Sequence, residues 1–163
     1  MNKILTILML LSLGVFSSQA QSGLKVGDKI QSFSRLDING TALRIDDLNS
    51  KIIIINFWAS WCGPCIKSFK STIKPLYNDY DRAELEIVGI SNDMREDKWR
   101  SSIDKLDLNW RHIWDEDRSL VRMFSVPSIP RYFIVDNTGT VLAADIFARE
   151  LKGEVKKALK SIH

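Results

Sequence analysis

Apolar residues in this chain change their spacing several times, and each change marks an element. Residues 4–16 form an almost unbroken apolar stretch behind the positive Lys3, and Ser18 and Ala20 place small residues at the −3 and −1 positions of a cleavage site. The stretch is shorter than the roughly 20 residues a bilayer-spanning helix needs. It predicts a secretory signal peptide over residues 1–20, removed after Ala20. Residues 21–163 then have the length of one domain with a proper core.

Within that domain, residues 31–36 and 41–45 flank Asn39-Gly40, a pair suited to the positive φ angles of a tight turn, so an N-terminal hairpin is expected. Residues 52–57, IIIINF, are apolar without alternation, as in a strand covered on both faces. From Cys65, the positions Ile66, Phe69, Ile73, Leu76, Tyr77 and Tyr80 recur at helical spacing, which predicts an amphipathic helix to about Tyr80 with a kink at Pro75. Next come a strand at 85–91, a helix at 95–106, a short extended piece at 112–114 and a helix at 118–124. Strands at 131–136 and 140–144 turn about Asn137-Thr138-Gly139, and a last helix carries Leu151, Val155, Leu159 and Ile162 on one side. Strands alternating with helices and closed by a hairpin and a helix make an α/β sandwich with a mixed sheet.

Charge adds little to that frame. Lysine and arginine number 23 against 20 acidic residues, for a formal net charge of +3, and the two signs are interspersed, so nucleic acid is not an expected partner. The densest basic stretch, residues 152–160, lies opposite the apolar side of the last helix and reads as its solvated face.

Chemistry enters with FWASWCGPCIK, residues 57–67, which holds the only two cysteines of the chain, Cys62 and Cys65. The pair falls beyond the end of an apolar strand and at the start of a helix, where open α/β sheets present backbone N–H groups to ligands. There the unpaired N–H groups and the helix dipole favour thiolate over thiol. In comparable motifs the first cysteine's pKa drops from about 8.5 to between roughly 3.5 and 7.5. This placement assigns Cys62 as the exposed attacking nucleophile and Cys65, one turn inward, as the shielded thiol that resolves a mixed disulfide. Two other readings are weaker. A structural staple closing so short a loop removes little chain entropy. A zinc site would need two more ligands from His112 and His163, which share no ligand spacing. Exchange between sulfurs calls for no cofactor and no metal.

The segment Asn56-Phe57-Trp58-Ala59-Ser60-Trp61-Cys62-Gly63-Pro64-Cys65 resembles the active-site stretch of thioredoxin-fold proteins. It is most similar to the extracytoplasmic TlpA/ResA-like thiol-disulfide oxidoreductases of bacteria. Lys25-Val26-Gly27-Asp28, the hairpin, Asp46-Asp47-Leu48 and the added pieces between Ser91 and Trp114 are also similar to that family. The resemblance implies a thioredoxin-like sandwich with a mixed sheet, an N-terminal hairpin and an added segment between its two halves. Ser128-Ile129-Pro130-Arg131-Tyr132-Phe133 resembles the segment in which a cis-proline opens a strand and faces the cysteines, with Pro130 rather than Pro127 in register. By that resemblance Trp61, Gly63, Pro64, Ile129 and Pro130 form the substrate-binding edge. It implies a monomer that acts on disulfide-containing proteins outside the cytoplasm and receives electrons from a membrane-embedded thiol carrier. Gly63-Pro64 between the cysteines and Ile129 before Pro130 resemble the reducing members, and service to apocytochrome c is one use of such a reductant. A disulfide-forming oxidase and a non-catalytic peptide-binding module are the alternatives.

Departures from the family fall around the inner thiol. Asn56 stands where cytoplasmic thioredoxins have a buried aspartate, Ser68 where relatives often carry glutamate, and Lys70 where a helix-kinking proline is usual. Asparagine cannot accept the Cys65 proton. Lys67 and Arg131 are candidates for added positive charge near Cys62. Trp58, Trp99, Trp110 and Trp114 are expected to pack in the interior.

Overall fold

The computed structural model describes residues 23–162. The predicted signal peptide and His163 lie outside the described residues. Among those described, no helix is long and apolar enough to cross a membrane.

The IIIINF run becomes β3, Ile52–Trp58, every residue of which is buried. It owes this to its place in the middle of a five-stranded sheet. β3 pairs in parallel with β4, Leu85–Ser91, and antiparallel with β6, Arg131–Asp136. Beyond β4 lies β5, Arg111–Trp114, again parallel; beyond β6 lies β7, Val141–Ile146, antiparallel. The order is therefore β5-β4-β3-β6-β7, and the sheet is mixed. The extended piece expected at 112–114 is thus a sheet edge.

Because side chains alternate along a strand, β3 feeds two cores. Ile52, Ile54 and Trp58 face a layer that holds Phe69, Ile73 and Leu76, with Trp99 and Ile103 from α3, Glu96–Leu106, and Leu151 and Val155 from α5, Ala148–Ser161. Ile53, Ile55 and Phe57 face Phe33, Leu43 and Ile45 near the N-terminus, with Leu120, Val121 and Phe124 at α4, Ser119–Met123. The N-terminal hairpin is shorter than its apolar pattern predicts. Its strands are Ser34–Leu36 and Ala42–Arg44, and Asp37 Oδ1 closes the loop by accepting from the backbone N–H groups of Asn39 and Thr41. Only Gly40 of the Asn39-Gly40 pair has a positive φ, at 75°.

The long helix after Cys62 is built in three pieces: α1, Gly63–Ser68; a π-helical stretch, Phe69–Ile73; and α2, Lys74–Asp79. Pro75 explains the division. A proline has no N–H to continue the α ladder and is tolerated in the first turn of a helix. The ladder widens ahead of it, so that the Lys74 N–H reaches the Phe69 carbonyl, and Pro75 sits in the first turn of α2. The basic residues of α5 point away from Leu151, Val155 and Ala158, which are buried.

Candidate active site

Where β3 stops at Trp58, a buried carboxylate takes hold of the chain. Asp93 lies just past the end of β4 and is 4% exposed. It accepts from the Ser60 backbone N–H at 2.9 Å, the Ser60 hydroxyl at 2.6 Å and the Ser91 hydroxyl at 2.7 Å. The Asn92 N–H bonds the Trp58 carbonyl at 2.8 Å, and Trp114 Nε1 donates to the Asp93 carbonyl at 2.7 Å. The loop carrying the cysteines is therefore fixed to the neighbouring strand. Charge-assisted bonds of this kind are among the stronger ones in proteins. Asp93 was not singled out from the sequence; the polar triplet Ser91-Asn92-Asp93 closing an apolar strand was the available signal.

Cys62 is the N-cap of α1 and forms a disulfide with Cys65, their Cα atoms 5.3 Å apart. Cys62 Sγ accepts the Cys65 backbone N–H at 3.2 Å. Cys65 is fully buried; Cys62, expected to be exposed, is itself buried at 4% exposure, because the disulfide and the Cys65 N–H hold its Sγ against the first turn of α1, and the exposed residues beside the pair are Gly63 and Pro64. Trp61 is 66% exposed, in contrast to Trp58, which is wholly buried with its ring edge-on to Phe69 and His112. The Ile129–Pro130 peptide bond is cis. Ile129 packs against the cluster containing both cysteines, and together with Trp61 it lines a groove of about 370 Å³. The structure thus brings Trp61, the two cysteines and Ile129 into one neighbourhood. The two cations considered for this site behave differently. Lys67 is exposed, whereas Arg131 pairs with Asp145 at 2.7 Å and lies over the Phe147 ring, so its charge is already matched.

Beneath the disulfide runs a row of side chains in strand register: Tyr132 of β6, Asn56 of β3, Gly89 of β4 and His112 of β5. Tyr132 Oη is 2.7 Å from Ser68 Oγ, which donates at 2.7 Å to the Cys65 carbonyl. Ser68 has one proton and spends it on that carbonyl, so Tyr132 is the donor to Ser68. Burial pushes the Tyr132 pKa up to about 12, which keeps the phenol neutral. Asn56 is fully buried; its Nδ2 makes one long bond of 3.4 Å to the Phe57 carbonyl and its Oδ1 has no partner.

At the far end His112 is wholly buried between Trp58 and Trp110, with neither ring nitrogen hydrogen-bonded at normal geometry. Burial lowers its pKa to about 3 against a weaker opposing pull from the Leu108 backbone, so this ring is neutral as well. The imidazole lies across Gly89, where an added Cβ would come within 2.6 Å of Nδ1. Tyr132, Gly89 and His112 were not recognised from the sequence as parts of this site. A tyrosine inside the apolar run of β6 was the one visible hint.

Residues 26–144 match the AhpC/TSA family. The chain belongs to that family. Its thioredoxin-like fold is shared with the thioredoxin domain of a thiol-disulfide oxidoreductase from Bacteroides vulgatus, which superposes with a TM-score of 0.75 at 23% identity over 84% of this chain and 99% of that one. A thiol-disulfide oxidoreductase from Bacteroides fragilis gives 0.71 at 26% identity over 80% and 98%. In sequence, this AhpC/TSA member is 25% identical over 149 residues to the thiol-disulfide oxidoreductase ResA of Bacillus cereus, covering 91% of this chain and 84% of that one. The ResA of Geobacillus thermodenitrificans is 24% identical over 166 residues, covering 99% and 94%. With a cysteine pair at disulfide distance on this fold, the protein is a thiol-disulfide oxidoreductase of the ResA type.

Proposed function

We propose that the protein is an exported reductant of protein disulfides, made as a precursor with a signal peptide over residues 1–20 and working as a single-domain monomer of residues 21–163. One observation carries the assignment of roles. Cys62 Sγ stands at the helix start and accepts the Cys65 N–H, while Cys65 is wholly buried. A sulfur that accepts a backbone N–H there is better stabilised as thiolate than one held inside the first turn.

In the reduced protein, Cys62 thiolate attacks one sulfur of a substrate disulfide and the other substrate sulfur leaves as a thiolate. Cys65, deprotonated, then attacks Cys62 Sγ and expels the second substrate thiolate. The substrate gains two electrons and the Cys62–Cys65 disulfide forms. Trp61, Gly63 and Pro64 supply the exposed rim, and Ile129 before Pro130 offers backbone groups to which an extended substrate can add as a strand. In an oxidising compartment the pair must be recharged by another dithiol, for which a membrane-embedded carrier is suited. Keeping apocytochrome c cysteines reduced for haem attachment is one task this chemistry fits.

The test is the midpoint potential of the purified protein, titrated against glutathione or dithiothreitol and read by tryptophan fluorescence. A reductant should fall near the roughly −270 mV of thioredoxin. A value near the roughly −120 mV of a strong disulfide-forming oxidant would reverse the assigned direction.

A further inference from the structure

The groove beside Ile129 carries a charge with no partner among the described residues. Its apolar walls are Trp61, Val121, Val126, Pro127 and Ile129, and its polar members are Asn92, Ser128 and Arg118. Arg118 is the one charged residue among those lining it, and its guanidinium makes no ion pair and no hydrogen bond among the described residues. The arginine is held from behind. Its backbone adopts a left-handed conformation at φ 56°, its N–H bonds the Asp115 carbonyl at 3.0 Å, and the buried Asp115 carboxylate accepts from the N–H groups of Leu120 and Val121. Val121 and Val126 are tied together as well, since the Val126 N–H bonds the Val121 carbonyl at 3.0 Å. At the end of the groove nearest β4, Asn92 Oδ1 is buried and unpartnered, although the same residue is anchored through its N–H to the Trp58 carbonyl.

An apolar trough with one unmatched guanidinium is complementary to an extended peptide that brings an acidic side chain. We propose that the substrate class is disulfides whose attacked cysteine is flanked by aspartate or glutamate, with that carboxylate opposite Arg118. The proposal rests on the reading that Cys62 attacks the substrate, and adds to it which sequences are attacked fastest.

The experiment uses synthetic peptides of one length, each with a single cysteine disulfide-linked to thionitrobenzoate and flanked by glutamate, glutamine or lysine. Release of the thionitrobenzoate by the reduced protein is followed in a single turnover and normalised to release by dithiothreitol, which removes the intrinsic effect of the flanking charge. At low salt the glutamate peptide should react about five times faster than the lysine peptide, the scale of one partly exposed ion pair. The ratio should shrink toward one in strong salt as the pair is screened. Arg118→Gln should bring it to one at all salt concentrations, and Arg118→Glu should invert it. Because each result is a ratio within one variant, a general loss of activity in either variant does not obscure it. A ratio near one in the native protein, or an unchanged ratio in Arg118→Glu, overturns the acidic preference while leaving exchange at Cys62 in place. Release no faster than from Cys62→Ser, for every peptide, overturns both.

Discussion

The two sulfurs of one disulfide look into different surroundings. On the outer side Cys62 is flanked by the exposed Trp61 indole, which also lines the groove holding Arg118, and by an exposed Gly-Pro turn. On the inner side Cys65 meets a layer in which every polar group is neutral: the Ser68 and Tyr132 hydroxyls, the Asn56 carboxamide and the His112 ring. Burial drives the two titratable members of that layer in opposite directions, the phenol up to about 12 and the imidazole down to about 3. Neither changes charge across the range in which thiols titrate. The lesson of the comparison is a division of labour. In the proposed mechanism reactivity and selection lie on the rim, while the layer below holds the inner helical turn by hydrogen bonds without contributing a charge.

Placing a charge in the inner layer should disturb it most. Asn56→Asp puts a carboxyl in a fully buried position with no cation among its hydrogen-bond partners. Its folded pKa should rise above the unfolded value of about 3.9, so the variant is most stable in acid and loses stability as pH climbs through the raised pKa. At pH 8 the oxidised variant should be less stable than the native protein by about 3 kcal/mol in urea unfolding. The same carboxylate should accelerate the resolving step near neutral pH in single-turnover kinetics by supplying the proton acceptor that asparagine lacks. Equal stability and unchanged kinetics would show that the inner layer is not the dry, neutral environment described.

Next in size is Gly89→Ala. The added Cβ would stand 2.6 Å from His112 Nδ1 and 3.2 Å from Trp58 Nε1, and crowding of this kind costs about 1–3 kcal/mol. Combining it with His112→Ser should return part of that loss, so a double-mutant cycle on urea midpoints reads the contact directly. Strict additivity of the two changes would remove His112 as the reason for the glycine.

A third contrast is read through pH. His112 has a folded pKa of about 3 against an unfolded value near 6.5, so below that value the unfolded chain takes up a proton that the native state refuses. Its contribution is intact above about pH 6.5 and declines by about 1.4 kcal/mol per unit toward pH 3, or about 2 kcal/mol between pH 6.5 and 5. His112→Phe should flatten this part of the stability profile. A variant that follows the native slope over that interval would mean that His112 is not held neutral by burial.

Periodicity made most of the frame legible. The strand at residues 85–91 matches β4 end to end, and the apolar run without alternation correctly marked a strand covered on both faces. The redox pair could be read because its chemistry is local: two cysteines, a glycine, a proline and a helix start lie within four residues. What escaped notice joins residues far apart in sequence. Tyr132 and Ser68 meet across 64 positions, and Ser60 and Asp93 across 33. Gly89 has meaning only once β4 and β5 are in register. The π-helical widening before Pro75 escaped for another reason. The apolar stripe announces a helix, but the ladder's response to a missing N–H depends on the turns that precede it.

The difference between the two sulfurs can be tested directly with the reduced single-cysteine variants Cys65→Ser and Cys62→Ser. Each is mixed with a chromogenic disulfide at neutral pH, and the covalent adducts are followed by absorbance and identified by mass spectrometry. Cys65→Ser should react rapidly and accumulate a stable mixed disulfide on Cys62, while Cys62→Ser should react at least about tenfold more slowly, the factor that one unit of thiol pKa supplies. Equal rates, or a faster reaction at Cys65, would contradict the assignment of the outer sulfur as nucleophile.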